Sequence, residues 1–91
     1  MHKFFVEKKL EKIMTKLERK NSILYNQLKK KMNEVINAPD VEHYKNLMYD
    51  LKELKRTHVG SFVLVFKYDK QKDFIYFIDF DYHDKIYKKS H

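Results

Sequence analysis

The chain has 91 residues, a formal net charge of +7 and no cysteine. Such a length suits one domain over residues 1–91 with a modest core, and the missing thiols exclude disulfides, thiolate metal sites and cysteine nucleophiles. An excess of 20 Lys and Arg over 13 Asp and Glu points to an anionic partner: nucleic acid, an acidic protein or a membrane surface.

At the N-terminus the apolar run Phe4 to Val6 is far too short for a signal segment, and nothing approaches a transmembrane span. A cytoplasmic protein without membrane contact is expected. Lys3 to Glu7 reads as a short strand. Leu10, Ile13, Met14 and Leu17 then recur at the spacing of one helical face. Asn21-Ser22 interrupts that helix and offers an N-cap for a second, whose stripe is Leu24, Leu28, Met32, Val35 and Ile36. Asn37-Ala38-Pro39-Asp40 ends it, because proline cannot continue a helix. The two amphipathic helices predict an antiparallel hairpin.

The period changes in the second half. Val41, Tyr44, Leu47 and Met48 suggest one or two further helical turns, and from Leu51 the pattern is that of a strand. Phe62, Leu64, Phe66 and Tyr68 fall on one face, with Val63, Val65 and Lys67 on the other. Asp69 to Asp73 is a polar turn. The next strand places Phe74, Tyr76, Ile78, Phe80 and Tyr82 on one face, and Ile75, Phe77, Asp79, Asp81 and His83 on its reverse. Helices followed by consecutive strands predict an α+β fold, a helical hairpin on an antiparallel sheet of three to four strands.

Two regions carry candidate chemistry. Asp79, Asp81 and His83 sit about 7 Å apart along one strand face, close enough to share a phosphate or a proton; the simpler reading of the aspartates is that the strand leaves the sheet there. His83 reads either as a surface histidine or as a proton-transfer group, since imidazole exchanges protons near neutral pH. The run Leu51 to His58 places Lys52, Leu54, Arg56 and His58 on one strand face and Lys55 on the other, a charge run that reads as a solvated face or as a rigid phosphate holder. Lys29-Lys30-Lys31 and Lys88-Lys89 read as solubility or backbone-phosphate contacts. No two histidines have helical zinc spacing.

The segment Leu51-Lys-Glu-Leu-Lys-Arg-Thr-His-Val-Gly60-Ser-Phe-Val-Leu-Val-Phe66 resembles the strand–Gly–strand hairpin of RelE-type toxins of the RelE/ParE superfamily. Phe77-Ile-Asp-Phe-Asp-Tyr-His83-Asp-Lys-Ile-Tyr87 resembles its last strand. The resemblance implies the toxin of a type II toxin–antitoxin pair, an endoribonuclease that cleaves mRNA on the ribosome by 2′-hydroxyl attack and uses no metal or other cofactor. On that resemblance the catalytic set is His83, Lys55, Arg56 and Tyr87, and the RNA contacts are Lys52, Lys55, Arg56, His58, Lys67, Tyr82 and Tyr87. The implied partners are an acidic RelB-like antitoxin, mRNA with the ribosome, and operator DNA through the antitoxin alone. One departure stands out: Val63 occupies the place of a phosphate-clamping arginine. Either Arg56 or Lys67 replaces that clamp, or the chain keeps only protein binding, as the ParE branch does in poisoning gyrase.

Overall fold

A computed structural model describes residues 1–48 and 51–89. In chain order it contains β1 (Lys3–Val6), α1 (Lys8–Lys20), α2 (Ser22–Ile36), a 3-10 turn (Val41–His43), β2 (Lys55–Val59), β3 (Phe62–Asp69), β4 (Phe74–Tyr82) and α3 (His83–Lys88). Among the described residues no helix is long and apolar enough to cross a membrane.

The helical hairpin forms where the apolar stripes and the Asn21 break require it. The Asn21 side chain accepts the Leu24 N–H at 3.2 Å, satisfying a donor that α2 itself leaves unpaired. The α2 stripe is buried at Leu28, Met32, Val35 and Ile36, and α1 contributes Leu10. These pack on Leu64, Phe66, Ile75, Phe77 and Phe80 of the sheet, so one sheet face lies under the two long helices.

Strand order is β1-β4-β3-β2. The β2–β3 and β3–β4 pairs are antiparallel, as expected, whereas β1 joins the far edge parallel to β4. The α1–α2 hairpin is a long connection, which lets β1 lie parallel to the last strand rather than turn back on its neighbour. At the β2–β3 turn Gly60 has φ +60° with open space around it, so the backbone angle rather than crowding selects glycine there.

Three expectations need correction. The helical part of the Val41–Met48 segment is the 3-10 turn alone, and Asn46 then bridges antiparallel to Lys55. Val41 and Tyr44 drop into the helix-side core while Leu47 joins a second cluster on the reverse face. β2 begins at Lys55, not Leu51, because residues 51–53 form a turn whose Leu54 N–H returns to the Leu51 carbonyl at 3.0 Å.

Strict alternation along β4 also fails. Val65 pairs with Asp79 but Phe66 pairs with Phe77, so Ile78 is an extra residue in the ladder. Such a bulge swaps the faces of everything beyond it. Ile75 and Phe77 therefore share the helix-side core with Phe80, while Ile78 turns to the reverse face.

Candidate functional site

On the reverse sheet face β2 carries Arg56 and His58, which pair with Val65 and Val63 of β3. Those valines pair in turn with Asp79 and Asp81 of β4. α3 then folds back over this face, and its Ile86 packs with Leu47, Leu54, Val63 and Val65 in the second apolar cluster. Val63 is fully buried there. A side chain at this position meets α3, not solvent.

The chain end of β4 brings a basic and aromatic group together. His83 is the first residue of α3 rather than the last of the strand. Its ring stacks on His58 with centroids 6.1 Å apart and planes 22° from parallel. Tyr87, one helical turn on, meets His83 edge-on at 5.3 Å. The Arg56 Nη1 donates to His58 Nε2 at 2.9 Å, which requires that nitrogen to be unprotonated. Arg56 Nε is buried without a hydrogen-bond partner, so the guanidinium is not fully used by the fold. The Tyr87 hydroxyl accepts the Met48 N–H at 3.2 Å, which fixes α3 to the segment before β2.

Other expected site residues lie elsewhere. Lys55 points to the helix side, opposite Arg56 and His58, and is buried. Its ammonium donates to the Tyr44 carbonyl at 3.1 Å and Asn46 Oδ1 at 2.9 Å, with the Glu42 carbonyl at 3.4 Å. It pins the preceding segment to β2 and shares no cleft with His83, so its expected place beside that histidine is not realised. Lys52 lies on an exposed turn before the strand, not on the strand face assigned to it. Lys67 sits beyond the last β2 pair, five residues along β3 from Phe62, or roughly 17 Å at the strand rise. Tyr82 stacks on Phe62 at 4.2 Å with Lys85 over its ring, and so stands on the helix-side face.

The two aspartates form an ion-pair network. Burial pushes the Asp79 carboxyl up. The Lys89 ammonium at 3.0 Å, the Phe80 N–H at 2.8 Å and Lys9 at 3.2 Å outweigh it and hold the group below its ordinary range. Asp81 is likewise held low against burial, chiefly by Lys89 at 2.8 Å and its neighbouring Tyr82 N–H. Their negative charge is therefore locally neutralised. Asp79 is wholly buried, so the strand does not leave the sheet there. Nothing in the charge run Leu51 to His58 marks the stacking of His58 on His83. The only available signal was His58 beside the Gly60 turn, because a histidine next to a hairpin sits at the sheet end where the last strand also finishes.

No protein-family model matches the chain. A curated protein of Methanocaldococcus jannaschii, named "Putative toxin RelE4", is 41% identical over 91 residues, spanning 99% of this chain and 95% of that one. Among solved structures, the isolated E. coli RelE toxin superposes with a TM-score of 0.71 at 21% identity, covering 97% of this chain and 93% of the toxin. A chain of the intact E. coli RelBE toxin–antitoxin complex superposes with a TM-score of 0.70 at 23% identity, covering 90% and 96%.

Proposed function

The chain belongs to the RelE family of toxins, and from that premise we propose that it is a cytoplasmic mRNA endoribonuclease acting on the ribosome. The observation that carries this reading is the Arg56–His58–His83 constellation on one exposed rim. Transfer of an RNA phosphate to its own 2′-hydroxyl needs a proton acceptor, a cation for the phosphorane charge and a donor for the leaving 5′-oxygen. A substrate phosphate that takes the Arg56 guanidinium releases His58 Nε2 with its lone pair exposed. That nitrogen then accepts the 2′-hydroxyl proton, and His83 donates to the 5′-oxygen. Tyr87 holds the His83 ring and offers a face to the nucleotide. Every step uses the chain's own side chains and none is routed through a metal or other cofactor.

The same premise supports an acidic RelB-like antitoxin as the partner that restrains the toxin, with operator DNA reached through that antitoxin. The net charge of +7 favours such an association electrostatically.

Toxin freed of its partner should cut a reporter mRNA on translating ribosomes. His58→Ala with His83→Ala should lower the cleavage rate about 100-fold or more. Undiminished cutting by the double variant would remove the site assignment.

One observation favours a second reading, that of a toxin acting by protein binding alone on gyrase or the antitoxin. The Val63 position is closed beneath Ile86, so the family's arginine clamp has no counterpart there. DNA supercoiling measured on the same preparation separates the two readings: inhibition of gyrase without RNA cleavage supports the second.

A further inference from the structure

β2 is an edge strand, and its outer edge is only partly covered. The Arg56 N–H turns outward to the Lys45 carbonyl at 2.9 Å. In an antiparallel pair the outward-facing residues alternate, so the His58 N–H also points out of the sheet edge, away from β3. Beyond Arg56 the edge opens into a cleft of about 310 Å³. One wall is the end of β2 at His58, Val59 and Gly60. The other is the α2 face that carries Gln27, Lys30, Lys31 and Glu34, residues at i, i+3, i+4 and i+7 that share a helical face.

The chemistry of this cleft is that of an anion holder. Lys31 is paired with Glu34 at 2.9 Å, so two ammonium groups face one carboxylate and a single positive charge is left over. Lys30 carries that charge, exposed and with no ion pair among the described residues. The Gln27 amide and the outward His58 N–H add neutral donors at the same opening. His58 thus belongs to two places at once. Its imidazole stacks on His83 on the reverse face, and its backbone borders the α2 cleft.

We propose that the cleft between α2 and the end of β2 binds a backbone phosphate of the RNA, adjacent to the one held at Arg56, through Lys30, Gln27 and the His58 N–H. The inference rests on the ribonuclease reading and extends it: the strand wraps the sheet edge from α2 to the His58–His83 rim. Phosphate contact by a surface lysine carries no base information, so the cleft serves affinity and register rather than sequence choice.

The test uses a 2′-O-methyl RNA oligonucleotide, which cannot be cut because its attacking hydroxyl is blocked. Its binding is followed by fluorescence anisotropy across a salt series. Lys30→Glu should weaken binding several-fold, alike for different sequences, and Lys30→Ala should reduce the slope of log affinity against log salt by about 1. Gln27→Ala should give a smaller loss with the slope unchanged. Both side chains are exposed, so thermal melts should match the parent chain. Unchanged affinity and slope in Lys30→Glu overturn the proposal, as does a Lys30-dependent association with poly-glutamate while RNA binding stays the same. RNA held through Lys30 but never cut would leave the cleft standing and remove the ribonuclease. Cutting with binding indifferent to Lys30 would do the reverse.

Discussion

The two faces of the sheet are built from different forces. Under α1 and α2 the contact is mainly apolar, with Phe66, Phe77, Leu64 and Ile75 fully buried against Leu10, Leu28 and Val35 and Lys55 the buried charge at its margin. The reverse face has a smaller apolar patch at Val63, Val65 and Ile86, bordered by charged groups: Asp79 and Asp81 with Lys9 and Lys89 at one side, Arg56 with two histidines at the other. The first face holds the fold. On the second, the short helix α3 is fastened by one buried isoleucine, a tyrosine hydroxyl and the Lys89 bridge. His58 and His83, with Arg56 half-buried between strand and solvent, stay at the surface there and can meet a ligand.

This contrast can be broken most forcefully on the apolar side. Phe77→Ala removes a ring that touches both Phe4 and Phe66 and should cost about 3–5 kcal/mol in chemical denaturation. A loss below about 1 kcal/mol would mean that the helix-side face is not the main source of stability.

On the ionic side, Asp79→Asn leaves Lys9 and Lys89 without their shared carboxylate and should cost about 2 kcal/mol. The loss should also depend on pH. Because the folded Asp79 titrates below its ordinary value of 3.8, its contribution is complete above that value and fades as pH falls through the lower, folded one. Acid denaturation curves of the parent and the Asn variant should therefore converge at low pH. Curves that stay parallel would show that the cost comes from packing rather than charge.

The smallest effect belongs to the sheet's other edge, where His2 ties β1 to the β3–β4 turn. Its Nε2 meets the Ala38 carbonyl at 2.6 Å and its Nδ1 meets Asp73 at 2.5 Å. With an acceptor on each nitrogen the doubly protonated ring is favoured, and the Ala38 carbonyl, with Asp73 and against burial, raises its titration above 6.5. The stabilisation is complete below that ordinary value and is lost as pH rises through the higher, folded one. A His2→Asn variant should be slightly less stable at pH 6 and equal to the parent at pH 9, as read by thermal melts. A deficit that persists unchanged at pH 9 would place the effect in shape rather than charge.

Much of the helix-side architecture was legible in the residue order. The stripes of α1 and α2, the Asn21 cap and the period of β3 are local signals, and each matches its element. The site was less legible. Strand alternation sets Lys55 and Arg56 on opposite faces, but nothing local says which of the two the fold consumes. The Tyr44 and Glu42 carbonyls and the Asn46 side chain capture Lys55 from a distance in sequence, while Arg56 is left to meet His58. The aspartates were likewise ambiguous until Lys89 folded back to bridge them.

By itself the sequence determined the element types on the helix side and the family, because periodicity and short motifs are written in neighbouring residues. Only the tertiary structure decided which face each side chain of β4 occupies and which cations remain available. One inserted residue at Ile78 inverts the alternation, and a buried charge takes whatever partners the packing brings within hydrogen-bond reach.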